Sequence, residues 1–298
     1  MISRPFQVCT KTIMDTSDPH IVFNEKGESD YYLNFINNLQ PSWHTDERGH
    51  RYLMKIAKKI QKTTKNKDYD CVIGLSGGLD SSYTVYVAKE IMGLRPLVFH
   101  VDAGWNTDQG VGNIEKIVEG LKLDLYTEVI NWEEMKDLQT AFLKSQIADQ
   151  DLPQDYAIFS ALYKFAKKNK INYIFTGSNI STECCREPEE WGGFPGIDTT
   201  LVKDIHKKFG KRPLKTFPLV DILSYKIYYK YIYMVWKSLN HSIMFLTSKQ
   251  MWRNFFKKDL VGNLLFISTM NPDLQGFSKT IGCRKSLDFI KGKHIFPV

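Results

Sequence analysis

The chain has 298 residues, a formal net charge of +7, 43% hydrophobic and 24% charged residues, and five cysteines. This is ordinary for a soluble globular protein with one large α/β domain and additions, or two small domains, and five cysteines including the neighbours Cys184 and Cys185 make no disulfide framework. The opening MISRPFQVCTKT lacks the apolar segment of a secretory signal, and the most apolar stretch, Tyr225 to Trp236, is broken by Lys226 and Lys230, so a cytoplasmic chain without a membrane span is expected.

Residues 1–40 read as a small N-terminal module, with a strand at Ile21, Val22 and Phe23 and a tight turn from Asn24 to Gly27. Between Trp43 and Asp68 the chain is helical and basic, with Ile56 and Ile60 on the apolar face. Val72, Ile73 and Leu75 mark a buried strand, and from Tyr83 onward Val85, Ala88, Ile91 and Met92 recur at helical spacing. A second strand covers Pro96 to Val101, a helix carries Ile114, Ile117, Val118 and Leu121, and a third strand runs from Leu123 to Ile130. A helix over Trp132 to Ile147, a loop over Gln150 to Gln154, a helix over Ala157 to Ala166 and a fourth strand over Ile171 to Phe175 follow. Strands alternating with helices predict an α/β fold, a doubly wound parallel sheet. Cys184 to Thr200, dense in Gly and Pro, reads as a long loop, and Asp204 to Phe209 as a helix. Signals fade beyond Val220, which sets domain limits of 41–222 for the α/β domain and 223–298 for a C-terminal extension.

The chemistry concentrates in the turn after the first strand, SGGLDSS, Ser76 to Ser82. A strand feeding a helix through such a turn makes an anion seat, because the first N–H groups of the helix lack intrahelical partners and the dipole is positive there. Gly77 and Gly78 let the backbone close around phosphate oxygens, the hydroxyls of Ser76, Ser81 and Ser82 add hydrogen bonds, and Asp80 is placed to hold Mg²⁺. In a bare glycine turn Asp80 or Ser81 serves only as a helix cap. Neither a Walker pattern nor a dinucleotide GxGxxG occurs.

The pattern Ser-Gly-Gly-x-Asp-Ser resembles the PP-loop of the N-type ATP pyrophosphatases, which implies the adenine nucleotide alpha hydrolase-like fold and a seat for pyrophosphate. With VDAGWN, Trp132 to Gln146, Pro153 to Asn169, Phe175 to Glu183 and HKKFG, the chain from about Phe6 to Val220 resembles the N-acetyl sugar amidotransferases. That resemblance implies ATP and Mg²⁺ as cofactors, adenylation of an acetamido group on a nucleotide-activated sugar, and displacement of AMP by ammonia to give an acetamidino sugar for surface polysaccharide or flagellar glycan. It assigns Ser76, Gly77, Gly78, Asp80, Ser81 and Ser82 to pyrophosphate and metal, with Asp80, Ser76 and Ser81 catalytic. It places Asp102, Ala103 and Gly104 at the adenosine, Thr176, Gly177 and Ser178 near the α-phosphate, and Glu183 as a second Mg²⁺ ligand or a solvated loop residue.

The family's two Cys-x-x-Cys pairs are reduced here to Cys9, with Thr12, Ser29 and Tyr32 at the other positions, so no zinc is expected. No glutaminase signature is present, so a separate glutaminase and an ammonia-channelling subunit resembling those of histidine biosynthesis are implied as partners, and nucleic acid is not favoured. Asp155 reads as a cap for the helix after it, His100 as a hydrogen-bonded core histidine, and Lys207 and Lys208 as a solvated helix face. Trp105 and Trp191 either stack on a base or sugar or pack inside. The competing readings are a PP-loop tRNA-modifying enzyme and an ATP-binding protein without turnover.

Overall fold

The computed structural model describes residues 4–177, except 43, 45 and 148, and residues 199–220. Four apolar runs become strands β1 (Cys71–Gly74), β2 (Pro96–Asp102), β3 (Leu125–Val129) and β4 (Ile174–Phe175), hydrogen-bonded in the order β3-β2-β1-β4. Every ladder is parallel, with Val72 opposite Leu97 and Ile174, and Val98 opposite Leu125. The fourth strand is shorter than its apolar run: only Ile174 and Phe175 enter the ladder.

The α-helices among the described residues are α1 (Asp30–Asn34), α2 (Glu47–Thr63), α3 (Leu79–Tyr86), α4 (Asp108–Leu121), α5 (Trp132–Ser145), α6 (Leu152–Lys168) and α7 (Thr199–Phe209), with π turns at Phe35–Leu39 and Val87–Ile91 and a 3-10 turn at Gln40–Ser42. Successive strand residues point to opposite faces, and the two apolar cores divide accordingly. Cys71, Ile73 and Val98 pack with Leu53, Ile60, Val85 and Ile117 of α2, α3 and α4. Val72, Phe99, Val101 and Ile174 pack with Leu138, Phe142, Tyr156 and Val202 of α5, α6 and α7. The sheet is therefore covered on both sides, a doubly wound α/β architecture.

Caps fix where the helices begin. Asp46, Thr107 and Asn131 accept backbone N–H bonds from the first turns of α2, α4 and α5. α3 starts at Leu79, four residues before the periodic apolar run that begins at Tyr83, so Asp80, Ser81 and Ser82 lie inside its first turn, and the cap position is taken by Gly78 rather than by Asp80 or Ser81. α6 begins at Leu152, inside the stretch read as a loop, because Pro153 is well suited to a first helical turn.

The N-terminal module is built from turns up to Ser29 and is helical from α1 onward. The strand expected at Ile21 to Phe23 reduces to an isolated bridge between Phe23 and Ser29, while the turn Asn24 to Gly27 forms as read. Cys9 is buried, and its sulfur accepts the N–H groups of Ser29 at 3.2 Å and Lys11 at 3.4 Å. Burial alone would raise this thiol's pKa; hydrogen bonds from Ser29, Thr12 and those N–H groups outweigh it and bring it down to about 6. Two of the residues standing in place of cysteines thus bond to the one that remains.

An ionic knot around the buried Asp70, with the half-exposed Arg95 as its partner, ties the layers together at the amino end of the sheet. Asp70 accepts from the Arg95 backbone N–H at 2.8 Å, from its guanidinium at 2.8 and 3.1 Å, and from the Thr64 hydroxyl. No helix among the described residues is long and apolar enough to cross a membrane. The C-terminal extension 223–298 lies outside the described residues.

Candidate functional site

The chain winds outward from β1 through β2 to β3, then returns to the other side of β1 as β4. Where the winding reverses, the loops after neighbouring strands diverge and leave a crevice at their carboxyl ends. A cleft of about 660 Å³ opens there.

One wall is the turn after β1. Gly77 adopts φ +77°, a conformation costly for other residues, and a Cβ there would lie 2.2 Å from the Gly110 carbonyl oxygen. The Gly77 carbonyl accepts from Asn113 Nδ2 at 3.0 Å, so the turn is seated on the start of α4. Ser81 Oγ lies 3.1 Å from Ser76 Oγ and donates to the Gly78 carbonyl at 3.1 Å, while the N–H groups of Ser76 and Gly78 donate to Ser81 Oγ and Ser76 Oγ at 3.3 Å. These bonds sit at the long end of the usual range. They hold two hydroxyls and the backbone in a tight ring from which the groups can turn to an anion. The first N–H groups of α3 have no acceptor within the helix, and its dipole adds positive potential at the same place.

β4 closes that wall. A Cβ on Gly177 would fall 2.7 Å from Ser81 N and 2.8 Å from Ser81 Cα, so the strand's end lies directly against the first turn of α3. The cleft is lined further by Trp105, Asn106 and Thr107 after β2 and by Gln154, Asp155, Ile158 and Phe159 from α6; Leu75, Phe99 and Val101 form an apolar floor.

Of the residues singled out in the sequence, Ser76, Gly78, Asp80, Ser81, Thr176 and Gly177 line this cleft. Gly77 does not; it is spent on the contact with α4. Ser82 is fully buried and donates to the Gly78 carbonyl at 2.7 Å. Asp102, Ala103 and Gly104 do not line it: the Asp102 carbonyl is taken by Ile130 N–H at 2.8 Å, and its Oδ1 accepts the Gly104 N–H at 2.9 Å. Trp105, 53% exposed and edge-on to Trp132 with ring centroids 5.2 Å apart, presents its ring instead. Ser178, Glu183 and Trp191 lie outside the described residues.

His100 is the buried, hydrogen-bonded histidine expected. Its Nδ1 is 2.9 Å from the Leu75 carbonyl, which only accepts, so Nδ1 carries the proton and Nε2 accepts from Asn106 Nδ2 at 3.1 Å. Lys207 and Lys208 lie on the exposed face of α7, and Lys208 pairs with Asp204 at 2.7 Å.

Asp155 overturns its reading as a cap. It lies inside the first turn of α6, with Asp151 at the cap position, and it lines the cleft. Asp155 is exposed, yet the protein packed beside its carboxyl, and then the charges of Asp149 and Asp151, push its pKa up to about 6. Proline two residues after the cap position and a carboxylate within the first turn were the signals for this start. Trp105 reads in the sequence as stacking on a base or sugar or packing inside, whereas Asn106 and Phe159 carry no comparable mark.

No lysine or arginine lines the cleft among the described residues, and no group of three metal-binding side chains occurs among them. A magnesium ion carried in by phosphates needs only one or two carboxylates from the protein. Asp80, in the first turn of α3 and facing the cleft, supplies one and so fits that need.

No protein-family model matches the chain, and no curated protein matches it. Among solved structures it is similar to an NH3-dependent NAD synthetase from Campylobacter jejuni subsp. jejuni, at 18% identity over 84% of this chain and 99% of that one, with a TM-score of 0.35. It is also similar to an NMN synthetase from Francisella tularensis, at 19% identity over 84% and 89% of the two chains, TM-score 0.39. A glutamine-dependent NAD+ synthetase from Acinetobacter baumannii shares 15% identity over 73% of this chain and 47% of its own, TM-score 0.38. The α/β architecture rests on the ladders and helices of this chain, and scores of this size add nothing to the reading of its site.

Proposed function

We propose that the chain is an ATP-dependent, AMP-forming amidotransferase that adenylates an acetamido group of a nucleotide-linked N-acetyl sugar and joins ammonia to the activated carbon. The observation that carries this reading is the ring of Ser76, Gly78 and Ser81 at the amino end of α3, beside Asp80 and backed by Gly177, in a cleft without a lysine among the described residues. Such a seat offers a polyphosphate backbone N–H groups, hydroxyls and a metal-binding carboxylate, which suits departure of pyrophosphate as a unit.

The amide carbonyl is a poor electrophile. Transfer of its oxygen to the α-phosphorus of ATP breaks the α–β phosphoanhydride bond, releases pyrophosphate and leaves a good leaving group on carbon. The amine nitrogen then forms the C–N bond as the C–O bond to AMP breaks. Bound at Asp80, Mg²⁺ neutralises phosphate charge. Ser76, Ser81 and the first turn of α3 hold the β and γ phosphates, while the apolar floor and Trp105 accommodate a flat or partly apolar body. Ammonia is supplied in this reading by a separate glutaminase through a channelling subunit.

Incubation with Mg-ATP, ammonium and UDP- and CMP-linked acetamido sugars should yield sugar-dependent AMP and pyrophosphate in equal amounts, and Asp80→Ala should abolish both. ATP binding without AMP for any sugar, with ammonium in excess, refutes the proposal.

A further inference from the structure

The cleft holds few groups able to move a proton. Among the described residues lining it, the ionisable side chains are Asp80, Asp155 and His100. Asp80 belongs to the phosphate seat, and both nitrogens of His100 are committed, one to the Leu75 carbonyl and one to Asn106. Asp155 is the carboxylate that α6 brings to the cleft, with Gln154 beside it and Ile158 and Phe159 on the next turn.

A carboxylate facing an anion seat repels phosphate. It therefore marks the half of the cleft that takes a cation or an N–H donor. We infer that Asp155 binds the incoming ammonium ion and takes its first proton, making it the catalytic base of the amination step. The inference rests on the amidotransferase reading above and names the residue that handles its nitrogen.

The proton count requires such a group. Ammonium has four hydrogens and no lone pair, so it cannot attack carbon until one proton leaves. Asp155 accepts that proton and becomes neutral, and the nitrogen lone pair forms the C–N bond. The C–O bond to AMP then breaks with its electron pair on the phosphate oxygen, and one further proton passes to the departing phosphates, leaving two hydrogens on the amidinium nitrogen. A carboxyl whose affinity for protons is raised by its surroundings suits this task better than one at the ordinary value. Its proton affinity is raised first by the protein around the carboxyl and then by the charges of Asp149 and Asp151 ahead of α6; the other ionisable groups lining the cleft among the described residues are Asp80 and His100.

Two measurements test this. In the first, ammonium chloride is titrated into the full chain with Mg²⁺ and α,β-methylene ATP while the carboxyl carbons are followed by NMR. The Asp155 resonance, assigned by its loss in Asp155→Asn, should move with ammonium and not with tetramethylammonium, which cannot donate a hydrogen bond. Equal responses to both ions, or none, overturn the inference whatever the sugar proves to be.

The second uses the sugar that supports AMP formation. Asp155→Asn should lower ammonium-dependent turnover by roughly 10²-fold, the usual contribution of a general base, and Asp155→Glu should recover part of it. Hydroxylamine, neutral near pH 7, should restore turnover in Asp155→Asn relative to ammonium. Equal losses with both nucleophiles overturn the role of base. Failure of every sugar to yield AMP refutes the amidotransferase reading and leaves the first measurement to judge the ammonium site.

Discussion

Replacement of Glu134 tests how the segment after α7 is fastened to the domain. Glu134 sits on the first turn of α5 with 7% of its surface exposed. Its carboxylate accepts the Thr216 N–H at 3.0 and 3.1 Å, the Thr216 hydroxyl at 3.1 Å and the Phe217 N–H at 2.7 Å. Removing it strands two backbone donors, one of them on the buried Phe217, at about 1–3 kcal/mol for each unsatisfied group. Thr216 can turn to water, so the larger share falls on Phe217, and Glu134→Ala should destabilise the protein by about 3 kcal/mol. That loss corresponds to a fall in Tm of roughly 5–10 °C for a chain of this size. Glu134→Gln keeps one oxygen for the two N–H donors and offers its amide to the hydroxyl, so it forfeits mainly the charge, about 1 kcal/mol. Urea unfolding of the three proteins, with amide exchange at Phe217, measures the difference. An alanine variant within about 0.5 kcal/mol of wild type refutes the fastening, and equal losses in the two variants refute the assignment to stranded donors.

Glu134 and, one turn on, Asp137, which accepts the Lys211 N–H at 2.9 and 3.1 Å and the Arg212 N–H at 3.1 Å, set an acid limit. Burial alone would raise the Glu134 and Asp137 pKa values, but the N–H groups of Thr216 and Phe217, and of Arg212 and Lys211, outweigh it and hold both low. Their folded-state values lie below the ordinary 4.5 and 3.8, so their contribution is complete above those values and is lost as pH falls through the folded ones; amide exchange at Lys211 to Phe217 should rise on acidification before the rest of the domain opens. Asp155 has the opposite sign. Its pKa is raised from 3.8 to about 6, so the native state loses stability as pH rises through that range, and Asp155→Asn should unfold at a higher temperature than wild type above pH 6 but not at pH 4. Gly177→Ala places a methyl group 2.7 Å from Ser81 N and should weaken binding of Mg-ATP by about tenfold, measured by calorimetry, with a much smaller effect on Tm; unchanged affinity refutes the placement of β4 against the phosphate seat.

The sheet was legible because its strands are apolar runs separated by amphipathic helices, and period and burial agree in β1, β2 and β4, while the edge strand β3 is largely exposed. The turn Ser76–Ser82 was legible because two glycines with three hydroxyls and a carboxylate have few other uses. What escaped notice depended on three dimensions. Nothing local distinguishes Asp102, at the end of a strand, from Trp105 three residues later; the ladder decides, by consuming the Asp102 carbonyl. Asp155 looked like a cap because the apolar period of α6 is clear only from Ala157, while the helix itself starts five residues earlier at Leu152. Ile21 to Phe23 has strand composition without a partner strand, and a lone run forms no sheet. The role of Glu134 was invisible, since its partners lie more than eighty positions away.

The contact between Gly77 and Gly110 has a mechanical meaning. With only 2.2 Å between the place of a Cβ and the facing carbonyl oxygen, backbone rests on backbone with no compressible side chain between. The turn after β1 and the start of α4, which follows Trp105, Asn106 and Thr107, therefore move as one stiff block. Strain arriving at either piece is passed directly to the other.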